Sequence, residues 1–463
     1  MKTAERETSV IRAPQDGSEV GVCTLATSED VRAALDASVA AARPCRELPA
    51  YERARALRAT ADGLTTQRES LARTLALEAG KPIAQARVEL DRSIAVFADA
   101  AEEATRIGGE VLPVDSVPMG KGRLALTRRF PLAPITGITP YNFPLLLATH
   151  KIAPAMACGA TITIKPPPQD PLSTLQMLDI IKGSGYPAGG VNVVPCHVAV
   201  AQILIEDPRV RLITFTGSAA AGWAIRAKAG TKRVALELGG NAGVIVEPDA
   251  DLAWAATRCA LGGFNYAGQS CISTQRIYVH RDVYRQFLDA FIPEVQALKV
   301  GDVLDEHTDV GPMITAEAAQ RVEGWITEAR DGGADIATGG TRRGAFLDPT
   351  VLLRTTPAMK VNCEEVFAPL VTVTPYTRLD DAVNAVNTSP FGLQAGVFTR
   401  DAKTLFRLHA ELDVGGVNGN DIPGFRVDRL PYGGAKASGL GREGVRYAIE
   451  EMTELRVLTI KLD

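Results

Sequence analysis

Between residues 28 and 108 apolar positions recur every three or four residues, the period of helices that pack by one face. Ser28 caps a predicted helix that runs through Ala42, and leucines at the same spacing predict helices over 53–68 and 70–79. Gly80, Lys81 and Pro82 stop the last of these, and 83–107 forms the next. From Leu112 to Arg129 the pattern shortens to β-leaning segments around Gly120 and Gly122, which predicts a small hairpin. Beyond Pro131, strands over 135–138, 161–165, 191–194, 212–215 and 234–238 alternate with helices over 150–158, 172–182, 199–205 and 219–227. These strands hold few charges, the composition of a parallel sheet covered on both faces. A second alternating block follows, with helices over 252–264 and 283–298 and strands over 276–280, 371–375 and 395–399. Residues 454–462 end the pattern as a β-rich segment. The class is therefore α/β, with two α/β domains and a cleft between them.

Composition narrows the function. In 463 residues, Lys+Arg 50 against Asp+Glu 54 gives a net charge of −4, which is no surface for nucleic acid or anionic membrane. No apolar run approaches the roughly 20 residues of a membrane span, and the first residues lack the apolar stretch of a secretory signal. Seven scattered cysteines without a C-x-x-C pair fit reduced thiols in the cytoplasm. Five dispersed histidines offer no pair at metal-ligand spacing, so no metal site is expected.

Four short segments carry candidate chemistry. In Gly268-Gln269-Ser270-Cys271-Ile272-Ser273 a thiol sits in a small-residue loop, open as an attacking sulfur must be; alone the signal is weak, because most single cysteines are buried small hydrophobes. In Leu236-Glu237-Leu238-Gly239-Gly240-Asn241 a carboxylate ends an apolar strand, where crevices of α/β sheets lie; alone, it is a strand-end Glu in water. In Thr139-Pro140-Tyr141-Asn142-Phe143-Pro144 two prolines fix a loop and Asn142 brings an amide donor suited to an oxyanion, or an Asx-turn. In Phe215-Thr216-Gly217-Ser218 a strand runs into a turn and a helix, so backbone N–H groups could face a pyrophosphate.

Taken with Lys165-Pro166, Glu364-Glu365-Val366-Phe367-Ala368-Pro369 and Pro431-Tyr432-Gly433-Gly434-Ala435-Lys436-Ala437-Ser438-Gly439, these segments resemble the aldehyde dehydrogenase superfamily in order and spacing across essentially the whole chain. The resemblance implies two Rossmann-like α/β domains and a β-rich oligomerisation element. Residues 1–113 and 132–239 would bind cofactor, 240–436 would be catalytic, and 114–131 with 453–463 would join subunits into a dimer or tetramer. It further implies that Cys271 attacks an aldehyde, that Asn142 and the Cys271 N–H hold the oxyanion, and that Glu237 activates the water that hydrolyses a thioester. Lys151 and Glu443 match positions that relay protons from that glutamate, or else form an interdomain salt bridge. Lys165 would grip the adenine ribose, Thr216, Gly217, Ser218 and Leu238 would line the cofactor cleft, and Glu365 with Phe367 would clamp the nicotinamide ribose. Where NAD-preferring relatives often place a Glu, this chain has Pro168, so NADP is expected to be tolerated or preferred over NAD. The chain departs from the pattern in its glycine-free Pro195–Ala199 turn and in Ala368, where glycine is usual.

The segments around Phe425–Tyr432 and Gly441–Glu454 resemble the branch of lactaldehyde, non-phosphorylating glyceraldehyde-3-phosphate and phosphonoacetaldehyde dehydrogenases. His150, two helical turns beyond Asn142, is expected to line the substrate tunnel with Ser270 and Arg426. Ser270 stands where anion-selective relatives place Arg, and no Arg lies between Arg92 and Arg106. Both point to a small hydroxy- or otherwise polar aldehyde, with a phosphono- or phospho-aldehyde as the competitor. CoA-acylating relatives lack the general-base glutamate and silent ones lose nucleophile or base, so Glu237 and Cys271 argue against both.

Overall fold

In the computed structural model, which describes residues 6–462, two mainly parallel sheets supply the framework. In the first sheet the strand order is Gly439–Leu440, Arg233–Glu237, Leu212–Thr216, Ile135–Ile138, Ile162–Lys165 and Val191–Val193. All neighbours are parallel except Gly439–Leu440, which returns from late in the chain to run antiparallel to Arg233–Glu237. The second sheet orders Asp335–Thr338, Thr350–Leu353, Leu370–Tyr376, Thr274–His280, Ala242–Val246, Gln394–Phe398 and Gly416–Gly419. Only its edge strand Asp335–Thr338 is antiparallel to its neighbour. The chain passes from the first sheet to the second between Glu237 and Ala242, so the residues at that crossing lie between the two frameworks.

Helices cover both faces as the apolar strands demand. The predicted helix over 150–158 in fact begins at Pro144, and every residue from Pro144 to Cys158 is buried. A helix buried on all sides has no polar stripe to mark its start, and Pro144 at its first position adopts helical backbone without losing a needed donor. It packs on the Ile83–Ala104 helix, which in turn packs on Ala50–Thr66. Leu145, Ile152 and Met156 share one buried core with Ile135, Ile162 and Leu212 of the sheet, each burial contributing about 1.5–3 kcal/mol.

Several local expectations change. The first helix spans Ser28–Glu47 and is capped by Thr27, not Ser28; Thr27 and Asp30 form a reciprocal capping box. Residues Thr8–Arg12 and Glu19–Thr24 pair as a hairpin whose short, charge-interrupted strands gave no periodic signal. The strand Ala242–Val246 and the helix Ala316–Asp331 were also absent from the sequence reading. The hairpin expected over 112–129 is only a two-residue pairing of Val111–Leu112 with Arg123–Pro131. The main partner of Arg123–Pro131 is Thr453–Lys461, in unbroken antiparallel register from Thr453↔Pro131 to Lys461↔Arg123. Among the described residues no helix is long and apolar enough to cross a membrane, and no cluster of His, Cys, Asp and Glu could hold a metal.

Candidate active site

A cavity of about 550 Å³ opens where the carboxyl ends of the first sheet meet the loop that enters the second. Asn142, Thr216, Gly217, Ser218, Glu237 and Leu238 line it from the first sheet, and Ser270, Cys271, Glu365 and Phe367 from the second. The sequence-predicted nucleophile, amide and carboxylate thus share one enclosure.

The Cys271 loop is set by an unusual backbone. Tyr266, Ala267 and Gly268 have φ of 49°, 51° and 67°, a left-handed turn that is strained for the two non-glycine residues. A Cβ on Gly268 would lie 2.1 Å from the Ala368 carbonyl oxygen, so only glycine fits. Tyr266 is tied down by its hydroxyl to the Ala79 carbonyl (2.7 Å) and by its N–H to Gln85 Oε1 (2.9 Å). Buried Gln269 then accepts the Ile314 N–H at 2.8 Å. The Cys271 sulfur faces the cavity 3.0 Å from the Tyr432 hydroxyl. Burial pushes its thiol up to about 12, against a hydrogen bond from Tyr432 that pulls it down.

Asn142 Nδ2 donates to the Gln269 carbonyl at 3.0 Å, which leaves its second amide hydrogen free. The Cys271 N–H makes no hydrogen bond among the described residues. Two unspent donors therefore belong to residues that line the cavity. The backbone of Asn142 is itself held, because Lys81 Nζ donates to its carbonyl at 2.8 Å. Lys81 is fully buried, ion-paired with Glu89, and lies 3.8 Å from the Phe143 ring centroid. Glu89 also accepts the first N–H groups of the Pro144–Cys158 helix, from Leu145 (3.2 Å) and Leu146 (3.1 Å).

Glu237 ends its strand with a buried carboxyl whose Oε2 has no partner among the described residues. Burial, and then the charge of Glu443, push it well above the usual carboxylate range, opposed by Arg426 and Lys151. Lys151 Nζ donates to Thr216 (2.8 Å) and Thr214 (3.1 Å) and stands 3.6 Å from Glu443. Burial would raise Glu443, but Lys151, His150 and Arg426 outweigh it and hold it below its usual range. A narrow rear cavity touches Glu237, Glu443, Thr214 and Arg442, so Glu237 forms part of the wall between two spaces.

His150 is a correction: it does not line the main cavity. Its helix is buried all round, and the ring lies behind Arg426, 3.2 Å from both Arg426 Nη2 and Asp428 Oδ1. Burial lowers its pKa and the Arg426 charge adds to this, against the pull of Asp428 and Glu443. Arg426 does line the cavity, paired with Asp428 and Glu443 at 3.2 Å each, with its guanidinium 3.8 Å from the Tyr432 ring centroid. Two further arginines escaped the sequence reading. Arg92 and Arg258 line the same cavity from opposite helices. Arg92 is clamped by Asp428, whereas Arg258 gives only its Nε to Asp421 (2.7 Å) and keeps both terminal nitrogens unbonded among the described residues.

On the cofactor side, Ser218 caps the Ala219–Lys228 helix, whose N-terminus faces the cleft. Lys165 is buried at its strand end, makes no side-chain hydrogen bond among the described residues, and has its pKa lowered by burial. Pro168 is exposed just beyond it. Glu365 accepts the Gly240 N–H at 2.8 Å, and burial pushes its carboxyl up to about 7. Phe367, at φ 54°, meets the Tyr141 ring edge-on at 6.0 Å. An amine without a partner, a helix N-terminus and a carboxyl with spare acceptor capacity fit the phosphates and ribose hydroxyls of a dinucleotide.

The sequence profile described as the aldehyde dehydrogenase family matches residues 1–458. A 3-sulfolactaldehyde dehydrogenase of Priestia aryabhattai is 42% identical over 449 residues, covering 97% of this chain and 93% of that one. The crystal structure of aldehyde dehydrogenase 21 from Physcomitrella patens, in complex with the reaction product succinate, superposes with a TM-score of 0.97 at 40% identity, over 99% of this chain and 96% of that chain. Glyceraldehyde-3-phosphate dehydrogenase from Methanocaldococcus jannaschii, complexed with NADP, gives 0.94 at 37% identity over 99% and 100%. The chain therefore belongs to the aldehyde dehydrogenase family and is an NAD(P)-using oxidoreductase with that family's α/β fold.

Proposed function

We propose that the protein oxidises a short polar aldehyde to its carboxylate through a thioester on Cys271. The observation that carries this reading is the presence of Cys271, Asn142 and Glu237 in the lining of one cavity, with the Cys271 N–H and one Asn142 amide hydrogen unspent among the described residues. The Cys271 sulfur attacks the carbonyl carbon, and the oxygen gains negative charge between Asn142 Nδ2 and the Cys271 N–H. The nicotinamide cofactor, when bound, supplies the hydride acceptor. Loss of hydride leaves a thioester on Cys271, and Glu237 takes a proton from the water that cleaves it. Lys151 and Glu443 stand behind Glu237 and carry that proton onward; the rear cavity and the 3.6 Å pair support this role.

Arg258 favours an anionic substrate, shifting the balance from a merely hydroxylated aldehyde. Arg258 lines the cavity, and neither of its terminal nitrogens has a hydrogen bond among the described residues, a fork suited to a carboxylate, sulfonate or phosphonate. Comparing a short aldehyde with a terminal carboxylate or sulfonate against its hydroxyl analogue should show kcat/KM favouring the anion. Arg258→Met should cut that preference by about tenfold or more, the effect of losing roughly 1.5–3 kcal/mol of charged hydrogen bonding. Equal use of both aldehydes by the unsubstituted enzyme would overturn the reading.

Residues around Lys165 would receive the adenosine half, and the absence of a carboxylate at Pro168 supports use of NADP. Pro168→Glu is expected to lower kcat/KM for NADP by about tenfold or more while sparing NAD, through repulsion of the 2′-phosphate. An unchanged NADP to NAD ratio would remove Pro168 from the specificity argument. For domain roles, the first sheet is read as cofactor-binding and the second as catalytic. The tail strand exposes Leu455, Val457 and Leu458, which supports covering of the three-stranded sheet by a second copy. Seven unpaired cysteines support a reducing, cytoplasmic setting.

A further inference from the structure

Tyr432 entered the sequence reading only as part of a motif, yet it is the side chain hydrogen-bonded to the nucleophile. Its hydroxyl is buried 3.0 Å from Cys271 Sγ and has no other hydrogen-bond partner among the described residues. The placement is over-determined. Tyr432 and Glu443 exchange two backbone hydrogen bonds, of 3.0 and 2.6 Å, and the ring packs with Ile272 and Leu393. The Arg426 guanidinium, 3.8 Å from the ring centroid, presses a cation on its face.

Either the O–H or the S–H can donate while the thiol holds its proton; once the sulfur is ionised only the O–H can. Burial and the neighbouring Cys271 and Glu237 push the Tyr432 phenol well above its ordinary range, so the oxygen keeps its proton. The same hydrogen bond pulls the Cys271 thiol down against its burial, and Arg426 adds to that pull. We propose that the Tyr432 Oη–H is a catalytic donor to the Cys271 thiolate, with Arg426 as a positioning residue that acts through the tyrosine ring. A thiolate accepts a strong charge-assisted bond, whereas the sulfur of a thioester is neutral and accepts weakly. Tyr432 therefore serves the sulfur when it attacks and again when it departs as thiolate during hydrolysis, while Glu237 acts on the water.

This inference rests on the reading of Cys271 as nucleophile, and the test separates the two. Tyr432→Phe removes the donor and keeps the ring and its stacking on Arg426. Alkylation of the cofactor-free protein by iodoacetamide is followed across pH by mass spectrometry of the Cys271 peptide, so that exposed Cys363 does not contribute. Below the midpoint the rate tracks the thiolate fraction, so at about pH 8–9 alkylation of Tyr432→Phe is expected to be about tenfold slower, the equivalent of an upward shift of about one pH unit. The temperature of unfolding should stay unchanged, which a merely structural role for the hydroxyl would move. A rate that is unchanged or higher overturns the donor assignment. If alkylating Cys271 in the unsubstituted protein leaves aldehyde oxidation intact, the nucleophile reading itself fails, and the donor role with it.

Discussion

Cys271→Ala is expected to lower aldehyde oxidation by about 10⁴-fold or more while NAD(P) binding stays nearly intact. The size follows from the absence of a substitute. Cys23, Cys45, Cys158, Cys196 and Cys259 are buried elsewhere, and Cys363 is exposed away from the cavity. Ser270 is the nearest hydroxyl in sequence, but its Oγ accepts the Ile272 N–H and makes no hydrogen bond to a base. The loop geometry comes from Gly268 and Gln269 rather than from the thiol, so alanine should leave Asn142 and Glu365 in place. The check is the rate of NAD(P)H formation beside a fluorescence titration of the cofactor. Residual oxidation within tenfold of the parent would reject Cys271 as nucleophile.

The second large effect belongs to Glu237→Gln. Gln cannot take the proton of the attacking water, so steady-state turnover should fall by about 10²–10⁴-fold while one equivalent of NAD(P)H still appears as a burst. Acid quench and mass spectrometry should then find the acyl group on Cys271. The direction of the pH dependence follows from burial. The carboxyl is held above its ordinary range, and only its ionised form is a base, so hydrolysis of the thioester should rise with pH through a midpoint above that range. This rising limb should vanish in Glu237→Gln. Normal turnover by the variant would return the base role to another group.

What the chain disclosed in advance depended on distance along it. Cys271, Glu237 and Asn142 each sit in a segment whose glycines or prolines announce a turn at a strand end, which made them candidates, while their roles were implied only by the resemblance of the segments taken together. Tyr432 meets Cys271 across 161 residues, and Lys81 reaches Asn142 across 61, so neither pairing has a local signature. Lys81 read as part of a helix stop because nothing nearby shows that its charge is buried against Glu89. The arginines failed differently. Arg92 and Arg258 are isolated cations on helices far apart in the chain, and only the fold brings both to one cavity. His150 failed because helical phase locates a cavity-facing position only when a single face of the helix is buried. The parallel strands were legible from their uncharged runs, whereas the hairpin at Thr8–Thr24 and the partner of Arg123–Pro131 were not.

That last pairing bears on how the chain is made. Arg129 and Thr453, which touch in the finished three-stranded sheet, are 324 residues apart. At roughly 5–20 residues per second, ribosomal synthesis leaves Arg123–Pro131 without its principal partner for about 15–60 s. During that interval Leu124 and Leu126 stand on an unpaired edge, the kind of strand that invites pairing with another nascent chain. Yield during expression should therefore respond to translation speed and to chaperones, even though in the finished fold Arg123–Pro131 is paired along its whole length.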